Sequence, residues 1–239
     1  AGELAARAAA WMAARRSRPL SLLYAEQRHS ALTFVFSREQ PLAPGPSHVG
    51  ACDALVTDEA GVALQVRTAD CLPVALAGGG AVAMIHAGWR GLAGDILAAA
   101  VRRFAADLGI APSALAAVVG VGVGPCHYPV GPEVQAALTR LDAAGAAWRH
   151  DGTVDLGAFA AGRLAALGIA AARMLRLPGC TVCTPGFHSF RRDGAGAAVG
   201  LFAHHRRRPG GRRGRQRGDR GAGVRPAAAA ARPAARRAA

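Results

Sequence analysis

The hydrophobic and polar positions of this chain alternate in short bursts, separated by glycine and proline. That is the signature of many short strands interrupted by a few helices. LSLLYA (20–25) and LTFVF (32–36) read as strands on either side of a polar turn. PLAPGPSH (41–48) reads as a loop, and ACDALVT (51–57) and VALQVRT (62–68) as two strands joined by a turn at Asp58–Gly61. PVALAGGG and AVAMIHAG predict a hairpin around Gly78–Gly80. Helical spacing of apolar residues begins at Asp95 and ends at Leu108, where Gly109 stops it. A buried strand entering a glycine-rich turn follows (AAVVGVGVGPC, 116–126), and then helices over 132–141 and 154–168. AAVGLFAHH (197–205) reads as a last strand, and residues 1–16 as an alanine-rich helix. The pattern predicts one α/β domain, with no internal repeat and nothing that forces a second domain.

Two places in this pattern carry chemistry. ADCLP (69–73) and HAGWRG (86–91) put Cys71 and His86 beside apolar strands, and glycine or proline then breaks the regular structure. Gly88, Gly91 and Gly94 surround the second turn. A third candidate, His29 in EQRHS, follows the first strand. Two imidazoles and a thiolate form a metal set that leaves a coordination position open for water or substrate. The same residues also read as a cysteine nucleophile with a histidine base, or as a small buried thiol and a hydrogen-bonded core histidine. Residue type alone does not separate these three.

Composition narrows the class. The chain has 239 residues, enough to bury a sizeable core. Its formal charge of +14 is unevenly placed. Residues 206–239 hold twelve arginines and one acid, Asp219, leaving seventeen arginines and fourteen acids for the rest. The foldable part is therefore nearly neutral, and its charge gives no argument for a nucleic-acid surface. There is no lysine, so any single arginine is a weak signal. The tail is expected to be disordered by composition, and an RNA-binding role for it lacks the interleaved aromatics that such segments use. Five cysteines (52, 71, 126, 180, 183), with neither a secretory pattern nor a long apolar run, predict reduced thiols in a cytoplasmic protein without membrane contact. Cys180 and Cys183 form a C-x-x-C without a second such pair, and read as a loop with two reduced thiols.

Four blocks then carry a resemblance: RTADCLPVAL (67–76), HAGWRGLAGDIL (86–97), VGPCHYPVG (123–131) and CTVCTPGFHSFRRDG (180–194). With QRHS (27–30) and CDALVT (52–57) they resemble the laccase-domain, or polyphenol-oxidase-like, proteins described as purine nucleoside phosphorylases. The similarity spans roughly residues 20–203. It implies a layered sandwich of mixed β-sheets flanked by helices, resembling the catalytic domain of cytotoxic necrotizing factors. It also implies a zinc site at His29, Cys71 and His86, and phosphorolysis of adenosine, inosine, guanosine and methylthioadenosine, with adenosine deamination as a second activity. On that reading Arg90 and Arg191 or Arg192 cradle phosphate through paired hydrogen bonds. Asp70 serves either as a proton shuttle or as the carboxylate that orients a ligand histidine. The expected partners are purine nucleosides and phosphate, with the chain acting as a monomer or homodimer.

The name laccase implies copper instead, but copper sets of that kind draw on many histidines and a cysteine. This chain has eight histidines, and those outside the blocks include His150, His204 and His205. Departures from the family pattern fall in two loops. Cys126-His127-Tyr128-Pro129 stands where Cys-Cys-Tyr-Glu is usual, with His127 expected to fill the loop rather than approach the metal, and Phe187-His188-Ser189-Phe190 replaces an aromatic and a phenol. The closing T-G-R is not recognisable, and the chain begins inside the family pattern, which the resemblance implies is an N-terminal truncation. The competing readings are a Cys–His thiol hydrolase on the same fold, or a catalytically impaired protein with an RNA-binding tail.

Overall fold

Three times the chain crosses from one β-sheet to another at the same end, and these crossings build the molecule. The computed structural model describes residues 21–37, 42, 44–142, 147–194 and 199–204. The helix expected over 1–16 and the tail over 206–239 lie outside the described residues. Strands β1 (Ser21–Glu26), β3 (Gly45–Ala51), β5 (Val62–Thr68) and β12 (Val199–His204) form a four-stranded sheet in the order β12-β5-β1-β3. Strands β2 (Thr33–Phe36), β4 (Ala54–Thr57), β6 (Leu72–Gly78), β7 (Ala81–Ala87), β8 (Ala116–Val119) and β11 (Met174–Arg176) form a six-stranded mixed sheet in the order β11-β8-β6-β7-β4-β2. A two-residue ribbon, β9 (Arg149–His150) with β10 (Thr153–Val154), completes the strands described.

Because β1, β3 and β5 run parallel, their carboxyl ends lie together. Each is followed by a short connection into the other sheet: β1 into β2, β3 into β4, β5 into β6.

The six-stranded sheet is buried on both faces, so its central strand has no polar side until its end. In β7 every residue is buried. Val82 and Met84 join Leu23, Leu55, Leu64 and Val66 between the two sheets. After α1 (Trp89–Ala93) come α2 (Ile96–Leu108), α3 (Pro132–Thr139) and α4 (Leu156–Ala166), and Ala81, Ala83 and Ile85 face the opposite way onto α2 and α4 through Leu97, Val101, Phe104 and Phe159. Period-two alternation thus assigns one side to the sheet–sheet core and the other to the helix core. The layers are sheet, sheet, helix, as the family resemblance implied.

Local signals placed most elements. The β6–β7 hairpin turns through Gly79 and Gly80, both at positive φ, where glycine carries no steric penalty. Asp95 caps α2 through its side chain, and Gly109 ends it in the left-handed region. One expectation needs correction. Residues 41–48 were expected to be a loop, yet β3 occupies Gly45–Ala51 as a parallel edge strand on β1. An edge position tolerates Pro46, and backbone pairing substitutes for the missing hydrophobic alternation. The strands joined by the Asp58–Gly61 turn form as expected, with β4 and β5 in different sheets and not paired with each other. Among the described residues no helix is long and apolar enough to cross a membrane.

Candidate metal centre

The three crossings deliver the site. His29 lies in the β1–β2 connection at φ 56°, and Cys71 ends the β5–β6 connection just after Asp70 at φ 82°. Asp53 lies between β3 and β4, and His86 is the penultimate residue of β7. Positive φ in non-glycine residues marks turns that the surrounding structure must hold in place. The holding group is Asp53. Its Oδ1 accepts from the backbone N–H of His29 at 3.0 Å, and its Oδ2 accepts from the N–H groups of Arg28 and Ser30 at 3.1 and 2.7 Å and from Ser30 Oγ at 2.7 Å.

Asp53 reaches His86 because the antiparallel register of β4 on β7 sets them opposite each other. Ala54 faces Ile85, and one step on, the His86 N–H donates to the Asp53 carbonyl at 2.7 Å. Their side chains meet as well, with His86 Nδ1–H donating to Asp53 Oδ1 at 2.8 Å. That bond fixes the tautomer and turns Nε2 toward Cys71 and His29, as in carboxylate–histidine–metal arrangements. The donor atoms of His29, Cys71 and His86 all lie within 4.8 Å of one another. His29 Nε2 is 3.7 Å from Cys71 Sγ, and the two imidazoles meet edge-on with centroids 4.8 Å apart.

A metal fits this set. For a tetrahedral ion with Zn–S about 2.3 Å and Zn–N about 2.05 Å, the expected N···S edge is ~3.55 Å. Burial is graded from His86 (buried) through Cys71 to His29 (exposed), so the fourth side faces solvent.

The electrostatics match. Burial alone would raise the Asp53 carboxyl, but hydrogen bonds from His86, Ser30 and Arg28 hold it well below the usual carboxylate range. Burial would lower His86, yet Asp53 and then Cys71 push it up to about 9. Burial would raise the Cys71 thiol, and hydrogen bonding to His29 and His86 brings it down to about 7. Nearby, burial and then the Cys71 charge push Tyr128 up to about 12.

Of the other residues singled out in the sequence, Asp70 has a different task from orienting a histidine. Its Oδ1 accepts from Thr181 Oγ1 at 2.5 Å and its Oδ2 from the Arg191 N–H at 2.8 Å. Asp70 therefore ties the 177–193 segment to the site, and Asp53 supplies the orienting carboxylate. Arg191 stacks its guanidinium over Tyr128 at 4.8 Å, and Arg90 lies exposed over Trp89 at 4.5 Å. Arg192 is withdrawn from the phosphate role. Its guanidinium donates to the carbonyls of Thr181, Val182 and Phe187 and to both oxygens of Asp193, so its donors are consumed inside its own loop. The hydrophobic pattern places Asp53 inside the 51–57 strand, and its one visible signal is a carboxylate at the mouth of the fully buried run ALVT. His127 does not merely fill its loop, because it gathers with Cys126, Cys180 and Cys183.

Fold and site together define a β/β/α-layered protein with an open two-histidine, one-cysteine centre at the carboxyl ends of three parallel strands. A family model described as multi-copper polyphenol oxidoreductase laccase matches residues 3–205, and the chain belongs to that family. A relative from Xylella fastidiosa (strain Temecula1), named purine nucleoside phosphorylase, is 43% identical over 150 residues. The match covers 59% of this chain but only 56% of that protein, so the chain spans little more than half the relative's length. A Streptomyces coelicolor protein with the same enzyme name, SCO2081, is 36% identical over 180 residues, covering 73% of this chain and 71% of that one. The crystal structure of YlmD from Geobacillus stearothermophilus superposes with a TM-score of 0.73 at 30% identity, over 84% of this chain and 78% of that one.

Proposed function

We propose that the chain is a zinc-dependent purine nucleoside phosphorylase, with residues 1–205 as the catalytic domain and the arginine-rich tail as a separate segment. The observation that carries this reading is the convergence of His29, Cys71 and His86, held by Asp53, in a family whose relatives bear that enzyme name. The substrates are adenosine, inosine, guanosine and methylthioadenosine. A phosphate oxygen attacks C1′ of the pentose, and the glycosidic C–N bond breaks. The base then leaves with the electron pair and is protonated.

A zinc ion at His29, Cys71 and His86 would supply a Lewis acid in this cleft. The chain's own groups do the rest. Asp53 keeps the His86 Nδ1 proton and so leaves the Nε2 lone pair free toward the centre. Arg191, stacked on Tyr128, and Arg90, exposed at the first turn after Gly88, offer planar guanidinium forks for the phosphate. Asp70 positions Arg191 by accepting its backbone N–H.

Purified protein incubated with adenosine and phosphate should release adenine and ribose 1-phosphate only when phosphate is present, and Cys71→Ala should abolish the release. Inosine in the same assay reads out deamination. A second reading has its own observation, because Cys71, His86 and Asp53 also form a nucleophile–base–carboxylate series. In that series His29, 3.7 Å from the thiol, helps bring the thiol down to about 7. Phosphate-independent turnover of a thioester that resists chelation would establish the thiol hydrolase and overturn the phosphorylase.

A further inference from the structure

Cys180-x-x-Cys183 finds its missing partners in space. The turn Pro125–His127, which follows the glycine-rich strand exit, brings Cys126 and His127 against it. The four donor atoms lie within 4.8 Å of one another. His127 Nδ1 is 3.3 Å from Cys126 Sγ, 3.2 Å from Cys183 Sγ and 3.9 Å from Cys180 Sγ, and the sulfurs of Cys126 and Cys183 are 3.5 Å apart. The edges of a zinc tetrahedron are ~3.8 Å between two sulfurs and ~3.55 Å between sulfur and nitrogen. The three sulfur–nitrogen separations bracket the second value and the sulfur–sulfur separation falls ~0.3 Å short of the first, which describes a ligand cage.

We propose that Cys126, His127, Cys180 and Cys183 form a second, closed zinc site that staples the 120–128 loop to the 177–193 segment. Three thiolates and one imidazole are a structural set, with no position left for substrate. The site has an outer shell too. The Gly124 N–H donates to Cys180 Sγ at 3.2 Å, and such donors orient a ligand and tune its basicity. Gly124 also shows how tightly the turn is packed there. A Cβ at that position would stand 3.0 Å from Cys180 Cβ and 3.4 Å from Cys126 Sγ.

A Cys126–Cys183 disulfide is the rival use of these thiols. Its bond length is about 2.05 Å, against 3.5 Å here. It would also leave His127 and Cys180 without a role, although His127 Nδ1 is close to all three sulfurs.

The staple matters because of what the two loops carry. The first gives Tyr128 and anchors Val123 N–H on the Asp70 carbonyl at 2.8 Å. The second gives Thr181, bonded to the Asp70 carboxylate, and Arg191, stacked on Tyr128. The knot has Cys180 buried and Cys126, His127 and Cys183 exposed. It stands on its own geometry and does not depend on the phosphorylase reading.

The test is metal stoichiometry on the full-length protein purified with zinc under reducing conditions, with cobalt substitution as a second readout. Two equivalents per chain are expected. Cys71→Ala should retain one, and its cobalt form should show the intense thiolate charge-transfer absorption of a three-sulfur site. Cys126→Ser with Cys183→Ser should lose that absorption and keep one equivalent, with a lower melting temperature. If that double variant fails to fold, Cys71→Ala still decides the matter. A single equivalent in the wild type that vanishes in Cys71→Ala would overturn the second site. So would a Cys126–Cys183 disulfide found by mass spectrometry in protein kept reduced throughout purification.

Discussion

Asp53 and His86 are joined twice, through the backbone at 2.7 Å and through the side chains at 2.8 Å. The carboxylate that fixes one imidazole also holds the turn of the other, since Oδ1 accepts from the His29 N–H at 3.0 Å. Replacing Asp53 with Asn keeps the volume but removes the charge that His86 pairs with. Asp53→Asn should weaken zinc binding at the first centre by about 10–100-fold. A chelator competition titration on the purified variant measures this, and unchanged affinity would remove Asp53 from the site.

Gly88 gives a way to disturb the centre without touching a ligand. Its φ of −76° suits any residue, but a Cβ there would stand 2.9 Å from Cys71 Sγ and 2.9 Å from His29 Cδ2. Gly88→Ala must therefore push both ligands. The overpacking should cost about 1–3 kcal/mol, on the order of tenfold or more in metal affinity. Metal content after dialysis against a weak chelator should fall, while the folded circular dichroism spectrum persists.

Metal uptake by the first centre should release protons in a pH-dependent number. Cys71 titrates near 7 and His86 near 9 in the metal-free site. At ~pH 6 both carry a proton that the metal must displace, whereas at ~pH 8 only His86 does. From these two groups, release falls from two protons to one across that interval, and apparent affinity rises with pH throughout. Calorimetry in buffers of different ionisation enthalpy counts the protons.

The two adjacent arginines should separate cleanly. Arg191 has its guanidinium on the Tyr128 face, whereas Arg192 is bound to three carbonyls and Asp193 within its own loop. Arg191→Ala should raise the KM for phosphate on the order of tenfold with little change in melting temperature. Arg192→Ala should lower the melting temperature through loss of the loop. Steady-state kinetics paired with thermal melts on both variants checks the assignment, and the reverse pattern would exchange their roles.

Much of the fold was legible because short-range rules govern it. The β6–β7 hairpin follows from three consecutive glycines, and α2 from its Asp95 cap, its apolar stripe and Gly109. The edge strand β3 was illegible, since its pairing with β1 comes from backbone hydrogen bonds that side-chain patterning does not encode. His29, Cys71 and His86 were nameable as metal-capable residues from type and position. Asp53 was not, because its role depends on the β4–β7 register.

What the sequence determined by itself was local: which segments alternate, where turns must fall, and which side chains have donor chemistry. Tertiary structure decided which of those donors meet. His29 and Cys71 are forty-two residues apart, and they converge because β1, β3 and β5 run parallel and each hands the chain to the second sheet at one end. Cys126 and Cys183 are fifty-seven apart, and the meeting of two loops turns an isolated C-x-x-C into a four-ligand cage. Residue chemistry is a property of the chain, but proximity is a property of the topology, and both centres needed the second.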